Sequence, residues 1–391
     1  MVATTGPLRL PRADGTLESY TPGAPSPWPA RARPPRTRVA MAAAHVVADP
    51  LASVDPWLDA TLDWDATLAY RRHLWDLGFS VAEAMDTAQR GTGLDWSASR
   101  DLIRRSLAEA RAYGAADRIA SGAGTDHLAG GTMYPLDQVI GAYAEQCEFV
   151  EACGGRIILM ASRALAASAT SADDYAQVYA RVLGQVREPV IIHWLGDMFD
   201  PALAGYWGSA DLDVASETCL GIVAANLRKV DGIKVSLLDK DREIALRRRL
   251  PPGVRMYTGD DFNYPELILG DEQGASDALL GIFDGIAPAA AAALAALDGD
   301  DRAAYLAILA PTVRLARHIF RAPTRFYKTG IVFLAFLNGH QSHFHMVGGQ
   351  QSARSIGHLA ELFRLADRAG LLRDPELATA RMKLVLGLAG V

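Results

Sequence analysis

The sequence predicts an α/β fold, a closed (β/α)8 barrel (TIM barrel) that is followed by a C-terminal helical extension. From about residue 37, short apolar β-like segments alternate eight times with longer helical segments, and after about residue 287 only helical patterns remain. Strands that are apolar along nearly their whole length are typical of a parallel sheet covered by helices. An open doubly wound sheet would usually carry a Gly-rich phosphate-binding turn after the first strand. None is present, so eight consecutive units favour a closed barrel.

The predicted strands are short, mainly apolar segments that cover residues 38–45, 81–85, 118–122, 156–161, 189–195, 232–237, 254–258 and 276–283. Apolar positions spaced three and four apart predict the intervening helices, which cover residues 66–77, 97–113, 136–153, 173–185, 201–207, 214–228 and a segment that ends at residue 249. Five more helices follow, and we expect them to supply the eighth barrel helix and the extension; they cover residues 287–297, 301–320, 324–337, 350–369 and 375–388.

These elements divide the chain into three segments. Residues 1–36 are rich in proline and arginine, and we expect an extended arm that either lies over the domain or is partly mobile. Residues 37–320 form the predicted barrel. Residues 321–391 form the predicted C-terminal helical extension.

The composition limits the possible functions. The net charge of -6 argues against a nucleic-acid surface. No apolar run is long enough to span a bilayer, and the first residues lack the features of a signal peptide. The three cysteines show no metal-ligand spacing. We therefore expect a soluble, cytoplasmic protein without nucleic-acid or membrane partners.

One lysine within an apolar strand is the strongest functional signal. In the segment 230–238, alternation places Ile233, Val235 and Leu237 on one face and Lys234 on the other, between Gly232 and Ser236. Only five of the 39 basic residues are lysines. A buried amine can lose its proton and attack a carbonyl group to form a Schiff base, which a guanidinium cannot do. The alternative is a lysine that extends from the strand end into solvent.

The order of three segments resembles a known family. Gly232-Ile233-Lys234 is followed by a charged helix, then by Tyr257-Thr258-Gly259-Asp260-Asp261, and then by Ala278-Leu279-Leu280-Gly281. Residues 120–124 and 189–193 add a weaker similarity to strands three and five. With these segments the chain resembles the dihydrodipicolinate synthase and N-acetylneuraminate lyase family over roughly residues 37–320.

The resemblance implies a class I aldolase-type (β/α)8 barrel in which the strand-six lysine forms a Schiff base with a small keto substrate. On this basis Lys234 is the imine-forming residue. The resemblance also implies a homo-oligomer, because members of the family form dimers and tetramers. We predict no cofactor and no bound metal.

Two departures from the family pattern affect the expected substrate. The family has a Gly-Thr-Thr-Gly-Glu-like turn after strand two that binds a 2-oxo-acid carboxylate. Residues 85–91 keep only Thr87 of this turn, and Asp86 would repel a carboxylate. The family tyrosine after strand four, which relays protons, has no counterpart in residues 160–164. We therefore expect a divergent member whose substrate is a keto acid or, more in line with these departures, a sugar-derived keto compound.

Active sites of such barrels lie at the carboxyl ends of the strands. His193, near the end of strand five, and Tyr257, on strand seven, are the predicted catalytic partners of Lys234. Candidate substrate-binding groups are Asp86 and Thr87 after strand two, Arg163 after strand four, Ser236 after the lysine, and Asp260 after strand seven. Arg163 would bind an anionic substrate, and Asp260 has a turn or helix-cap role as its alternative.

Two other functional interpretations remain open at this point. A metal-dependent sugar isomerase or hydrolase would draw its metal ligands from His45, Asp49, His127, His193, His340, His343 and His345. The three histidines of segment 340–345 have no acidic residue beside them. Their alternative is a structural role, in a loop between extension helices that packs near the barrel mouth or at a subunit contact. A non-catalytic barrel that binds a metabolite is the third interpretation.

Overall fold

The computed structural model describes residues 7–391, and within them eight parallel strands form a closed barrel. The predicted (β/α)8 fold is confirmed. A two-stranded antiparallel hairpin of β1 (Leu8–Pro11) and β2 (Leu17–Tyr20) precedes the barrel. Residues 1–6, where the signal-peptide expectation falls, lie outside the described residues. Within the described residues, no helix has both the length and the apolar character needed to cross a membrane.

The barrel strands follow the chain order around the circle, and β10 closes the barrel by pairing with β3. The strands are β3 Ala40–Ala43, β4 Ser80–Glu83, β5 Ile119–Ala123, β6 Arg156–Leu159, β7 Val190–Leu195, β8 Val230–Ser236, β9 Arg255–Thr258 and β10 Asp277–Leu280. Their helices are α1 Trp64–Asp76, α2 Trp96–Tyr113, α3 Leu136–Ala152, α4 Arg163–Ser168, α5 Ala172–Gln185, α6 Leu212–Ala225, α7 Lys240–Arg247, α8 Tyr264–Leu269 and α9 Ile282–Asp298.

Four more helices complete the chain: α10 Arg302–Ile319, α11 Tyr327–Leu337, α12 Ile356–Arg368 and α13 Pro375–Leu388. Every residue of α11 is buried, as expected for a helix that is apolar on all sides. Three predicted helices differ from expectation. The predicted helix over residues 201–207 is two short 3-10 turns, at 201–203 and 206–208. The other two are shorter than expected. Residues 347–353 form a 3-10 turn with left-handed glycines at positions 348 and 349, and residues 324–326 form another short 3-10 turn.

Small side chains line one side of the barrel interior. Alanines project inward from three consecutive strands at Ala43, Ala82 and Ala120, whereas larger side chains such as Ile158 and Ile191 fill the other half. A second, much larger apolar core lies between the strands and the helices. Alternation along each strand thus separates a tight outer core from an interior with room for polar groups.

The N-terminal arm lies over the domain, which was one of its two expected placements. Leu8 and Leu10 are buried, and several hydrogen bonds connect the arm to α12 and its end. Tyr20 Oη donates to Asp367 (2.7 Å), and Trp28 Nε1 donates to the Gly370 carbonyl (2.7 Å). The division at residue 320 remains a prediction, because α10 packs on both α9 and α12.

A fully buried ion pair connects α1 to β4. The guanidinium of Arg71 donates two hydrogen bonds of 2.8 Å to the Glu83 carboxylate, and both side chains have no exposed surface. Arg71 also donates to the carbonyl oxygens of His45 and Thr67. The pair therefore fixes the loop after β3 and the first barrel helix against the second barrel strand.

We predict that Glu83→Gln lowers the free energy of unfolding by about 3–5 kcal/mol, because it leaves the buried Arg71 charge uncompensated. The matched control is Asp101→Asn, which removes a carboxylate from an exposed pair with Arg104 and should change the same free energy by less than about 1 kcal/mol. Urea unfolding followed by circular dichroism measures both values. Equal losses in the two variants would contradict the role assigned to the buried pair.

Candidate active site

Lys234 lies on β8, the sixth barrel strand, with its side chain inside the barrel. Ile233 and Val235, its neighbours in the strand, belong to the outer apolar core instead. The lysine is 5% exposed. It is in register with His193 on β7 and with Tyr257 on β9. The predicted orientation of the strand is therefore the observed one, and the chain holds an amine within the barrel.

A glycine makes room for the stem of this lysine. A Cβ atom built on Gly259, in the loop after β9, would lie 2.9 Å from Lys234 Cε and would overlap with Ser236 Oγ. Contacts this short do not occur for real side chains, so any larger residue would displace the lysine or the serine. The Gly259 position of the Thr258-Gly259-Asp260-Asp261 segment is thus required by close approach.

The electrostatic environment favours the uncharged form of the amine. Burial lowers the pKa of Lys234, and the nearby carboxylates of Asp86 and Asp261 oppose this shift only in part. Burial also raises the pKa of Asp261 well above its usual value, although Lys234 acts in the opposite direction. Both groups of this coupled pair therefore shift toward their neutral forms, an amine and a carboxylic acid.

Asp86 connects the lysine to the C-terminal extension. Its Oδ2 accepts a hydrogen bond from Tyr327 Oη (2.7 Å) and lies 3.8 Å from Lys328 Nζ. Tyr327 Oη also lies 2.7 Å from Thr87 Oγ1. Burial acts to raise the pKa of Asp86, but the charges of Lys328 and Lys234 keep it below the usual value. Asp86 is accordingly an ionised carboxylate shared by two buried lysines.

His193 and Ser236 form a second polar group beside Lys234. His193 Nε2 lies 3.2 Å from Ser236 Oγ, and the histidine has no exposed surface. Burial, together with the Lys234 charge, lowers the pKa of His193 well below its usual value. The imidazole is therefore neutral and can exchange a proton with the serine hydroxyl.

Two of the residues proposed from the sequence are engaged elsewhere. Tyr257 Oη donates to Asp231 Oδ2 (2.6 Å), at the start of β8, so the hydroxyl is directed toward the amino-terminal end of the barrel. The Asp260 carboxylate accepts hydrogen bonds from the backbone of Phe262 and from both nitrogens of Asn263. Asp260 thus has the turn role that was its alternative, and the neighbouring Asp261 is the carboxyl group that acts on Lys234.

A cavity of about 410 Å³ opens at the carboxyl ends of β4 to β7. Asp86 is part of its wall, so the cavity leads to the carboxylate that Lys234 and Lys328 share. Arg163 lies in the same wall and is paired with Asp200. Trp57, from the loop between β3 and α1, forms part of the rim and is 79% exposed.

The histidines of the metal hypothesis do not come together as one set of ligands. His45 is paired with Asp284, His127 contacts Gln146, and His193 contacts Ser236. His340 packs against the rings of Tyr70 and His73, and His343 accepts a hydrogen bond from the backbone nitrogen of His345. Throughout residues 7–391, no group of three or more His, Cys, Asp or Glu side chains is arranged to hold a metal ion.

Three residues of this site were not proposed from the sequence. Asp261 stood beside the candidate Asp260, and Tyr327 and Lys328 lie in a helix that looked structural. A signal for Lys328 was nevertheless present, because it is one of only five lysines and precedes a strongly apolar segment. It is 2% exposed. The same scarcity argument that singled out Lys234 would have found it.

The fold is shared with solved structures at low sequence identity. Dihydrodipicolinate synthase from Aquifex aeolicus is 14% identical, with a TM-score of 0.63, over 86% of this chain and 100% of that one. YagE, a prophage protein of E. coli K12 described as belonging to the dihydrodipicolinic acid synthase family, is 14% identical, with a TM-score of 0.64, over 85% and 99%. The enzyme from Acinetobacter baumannii, described as chloride-inhibited, is 15% identical, with a TM-score of 0.60, over 86% and 100%.

The latter two structures are complexes with pyruvate. At these identities, the comparisons establish the barrel with its C-terminal helices and not the activity. No curated protein matches the chain. A family model described as a protein of unknown function matches residues 8–391, which is nearly the whole chain. The chain therefore belongs to the DUF993 family.

Proposed function

We propose that the protein is a class I aldolase-type lyase in which Lys234 forms a Schiff base with a small keto compound. The observation that carries the proposal is a lysine amine at the carboxyl half of the sixth barrel strand, 5% exposed and with a pKa lowered by burial. A lowered pKa makes the uncharged, nucleophilic form of the amine easier to reach. A structural lysine would instead be expected to extend its charge into water.

The first chemical step is the attack of the Lys234 nitrogen on the substrate carbonyl carbon, which gives a carbinolamine. Loss of water from the carbinolamine requires a proton on the departing hydroxyl, and the carboxylic acid form of Asp261 is suited to supply it. The resulting iminium ion carries a positive charge, which the ionised Asp86 stabilises. The iminium then withdraws electrons from the adjacent carbon, and this makes cleavage of the next bond possible.

The later steps need groups that accept and return protons. Tyr327 contacts both Asp86 and Thr87, and this triad takes the position in the mechanism that the missing family tyrosine would hold. His193 and Ser236 form a second route for proton exchange on the other side of the lysine. We assign no catalytic role to Tyr257, because its hydroxyl is held by Asp231.

Support from the neighbours is limited to the fold and to what their descriptions say. Two of the structures with this fold hold pyruvate, so the architecture binds small keto compounds in those proteins. The metal-dependent interpretation has no comparable support, since no three candidate ligands in the described part of the chain are arranged to hold a metal ion. A non-catalytic barrel remains the contrasting outcome of the first experiment below.

We predict that borohydride treatment in the presence of a panel of keto acids and keto sugars yields a reduced adduct on Lys234. Lys234→Arg should abolish this adduct, because arginine keeps the charge but not the nucleophile. The matched control is Lys240→Arg, which changes an exposed lysine paired with Glu266 and should leave trapping intact. Intact mass and peptide mapping provide the readout. Adducts on Lys229, Lys240, Lys328 or Lys383, with none on Lys234, would contradict the proposal.

A second prediction concerns pH. The charge of Asp86 raises the pKa of Lys234, so Asp86→Asn should lower that pKa further. The free amine then persists to more acidic solution, and the midpoint of the trapping rate against pH should shift to lower pH. The plateau rate should fall as well, because the iminium loses its counter-ion.

The control for this experiment is Asp95→Asn. Asp95 lines the same cavity but caps α2 through a hydrogen bond from the Ala98 backbone, and asparagine is also a good cap. The pH midpoint of trapping in Asp95→Asn should equal that of the unsubstituted protein. A midpoint for Asp86→Asn that moves upward or stays unchanged would refute the electrostatic assignment.

A further inference from the structure

We propose that the substrate is an uncharged, polyhydroxylated keto compound and that Trp57 is a specificity-determining residue for it. This inference rests on the proposed Schiff-base function and narrows its substrate class. It is carried by the arrangement of ion pairs in the wall of the cavity and by the exposed indole at its rim.

Among the described residues, the wall of the cavity offers no cation without a carboxylate partner. Six charged residues line it in the described chain, four of them acidic: Asp86, Asp95, Asp126, Asp200, Arg90 and Arg163. Both guanidinium groups are already paired with carboxylates of the same wall. Arg90 binds Asp126 through two hydrogen bonds of 2.7 and 3.0 Å, and Arg163 binds Asp200.

The two buried lysines near Asp86, behind the cavity wall, do not change this balance. Lys328 lies 3.8 Å from Asp86, and Lys234 is flanked by the same carboxylate and by Asp261. A keto acid would have to place its carboxylate near Asp86 without a matching cation. Like charges at such short range in a buried site repel strongly, so a neutral substrate fits better.

The same groups suit hydroxyl groups well. Carboxylate oxygens are acceptors for hydroxyl donors, and Asp86, Asp126 and Asp200 present them around one cavity. The indole of Trp57 stands at the rim with 79% of its surface exposed, and an aromatic ring of this kind provides a flat apolar face with a polar edge. A chain of carbons with hydroxyl groups, as in a keto sugar, matches an apolar face on one side and acceptors on the other.

The test uses two probes of the same size, hydroxyacetone and pyruvate, which differ by a hydroxymethyl group in place of a carboxylate. Each is trapped with borohydride, and adduct formation on Lys234 is divided by adduct formation on the exposed Lys240 of the same molecules. This ratio corrects for the different intrinsic reactivity of the probes. We expect the ratio for hydroxyacetone to exceed that for pyruvate by roughly tenfold or more.

The outcomes separate this inference from the proposed function. Adducts on Lys234 that form as well or better with pyruvate would overturn the inference and leave the Schiff base in place. No adduct on Lys234 with either probe, or with the wider panel, would overturn both. In Asp86→Asn the preference for hydroxyacetone should fall, and an unchanged preference would exclude Asp86 as its source.

The role of Trp57 is tested with xylulose, a neutral ketopentose. Trp57→Ala should raise the concentration of xylulose that half-saturates trapping by several-fold. Trp57→Phe keeps an aromatic ring, so its half-saturating concentration should stay close to that of the unsubstituted protein. Neither change should alter trapping of hydroxyacetone, which is too short to reach the rim. The side chain is exposed, so the fold is not at risk. An unchanged half-saturation for xylulose in Trp57→Ala would overturn the role of the indole.

Discussion

The burial of one amine inside the barrel is the constraint on which the site depends. An isolated ammonium group is very costly to bury, so it must lose its proton or be balanced by carboxylates. Lys234 is subject to both effects, since burial lowers its pKa while Asp86 and Asp261 oppose the shift. The side chain of the lysine also needs space, and Gly259 provides it, because this residue approaches too closely to carry any Cβ. These features together leave an amine whose pKa is lower than that of an ordinary lysine.

The C-terminal helices contribute directly to the site. Tyr327 and Lys328 begin α11, a helix buried along its whole length, and both contact Asp86. The stacking of Tyr327 on Phe320 fixes the tyrosine ring, with the ring centroids 4.3 Å apart. Because the N-terminal arm is attached to α12 and its end, the arm supports the same group of helices. The extension is therefore part of the candidate site, and a barrel without it would lack the second lysine and the tyrosine.

The sequence predicted the barrel and the inward orientation of Lys234, because both depend on local patterns. Alternation on β8 correctly placed Lys234 inside. Tyr257 was proposed from its position on the seventh barrel strand, and that position does not tell which way a side chain points along the barrel axis. The Tyr257 hydroxyl in fact turns toward Asp231. Likewise, the loop after β9 has no periodicity that could separate Asp260 from Asp261. The contact between Asp86 and Tyr327 spans 241 residues, and no local pattern predicts which distant helix closes over a barrel.

The central claim is that the Lys234 amine loses its proton more readily than an ordinary lysine. With only five lysines in the chain, a protein labelled with ¹³C at the lysine ε-carbons should give few enough resonances to titrate each one by NMR. Lys234→Arg and Lys240→Arg assign the two relevant signals. We expect Lys234 to titrate at lower pH than the exposed Lys240, whose pKa is raised by Glu266. A Lys234 signal that titrates together with Lys240, or above it, would contradict the account.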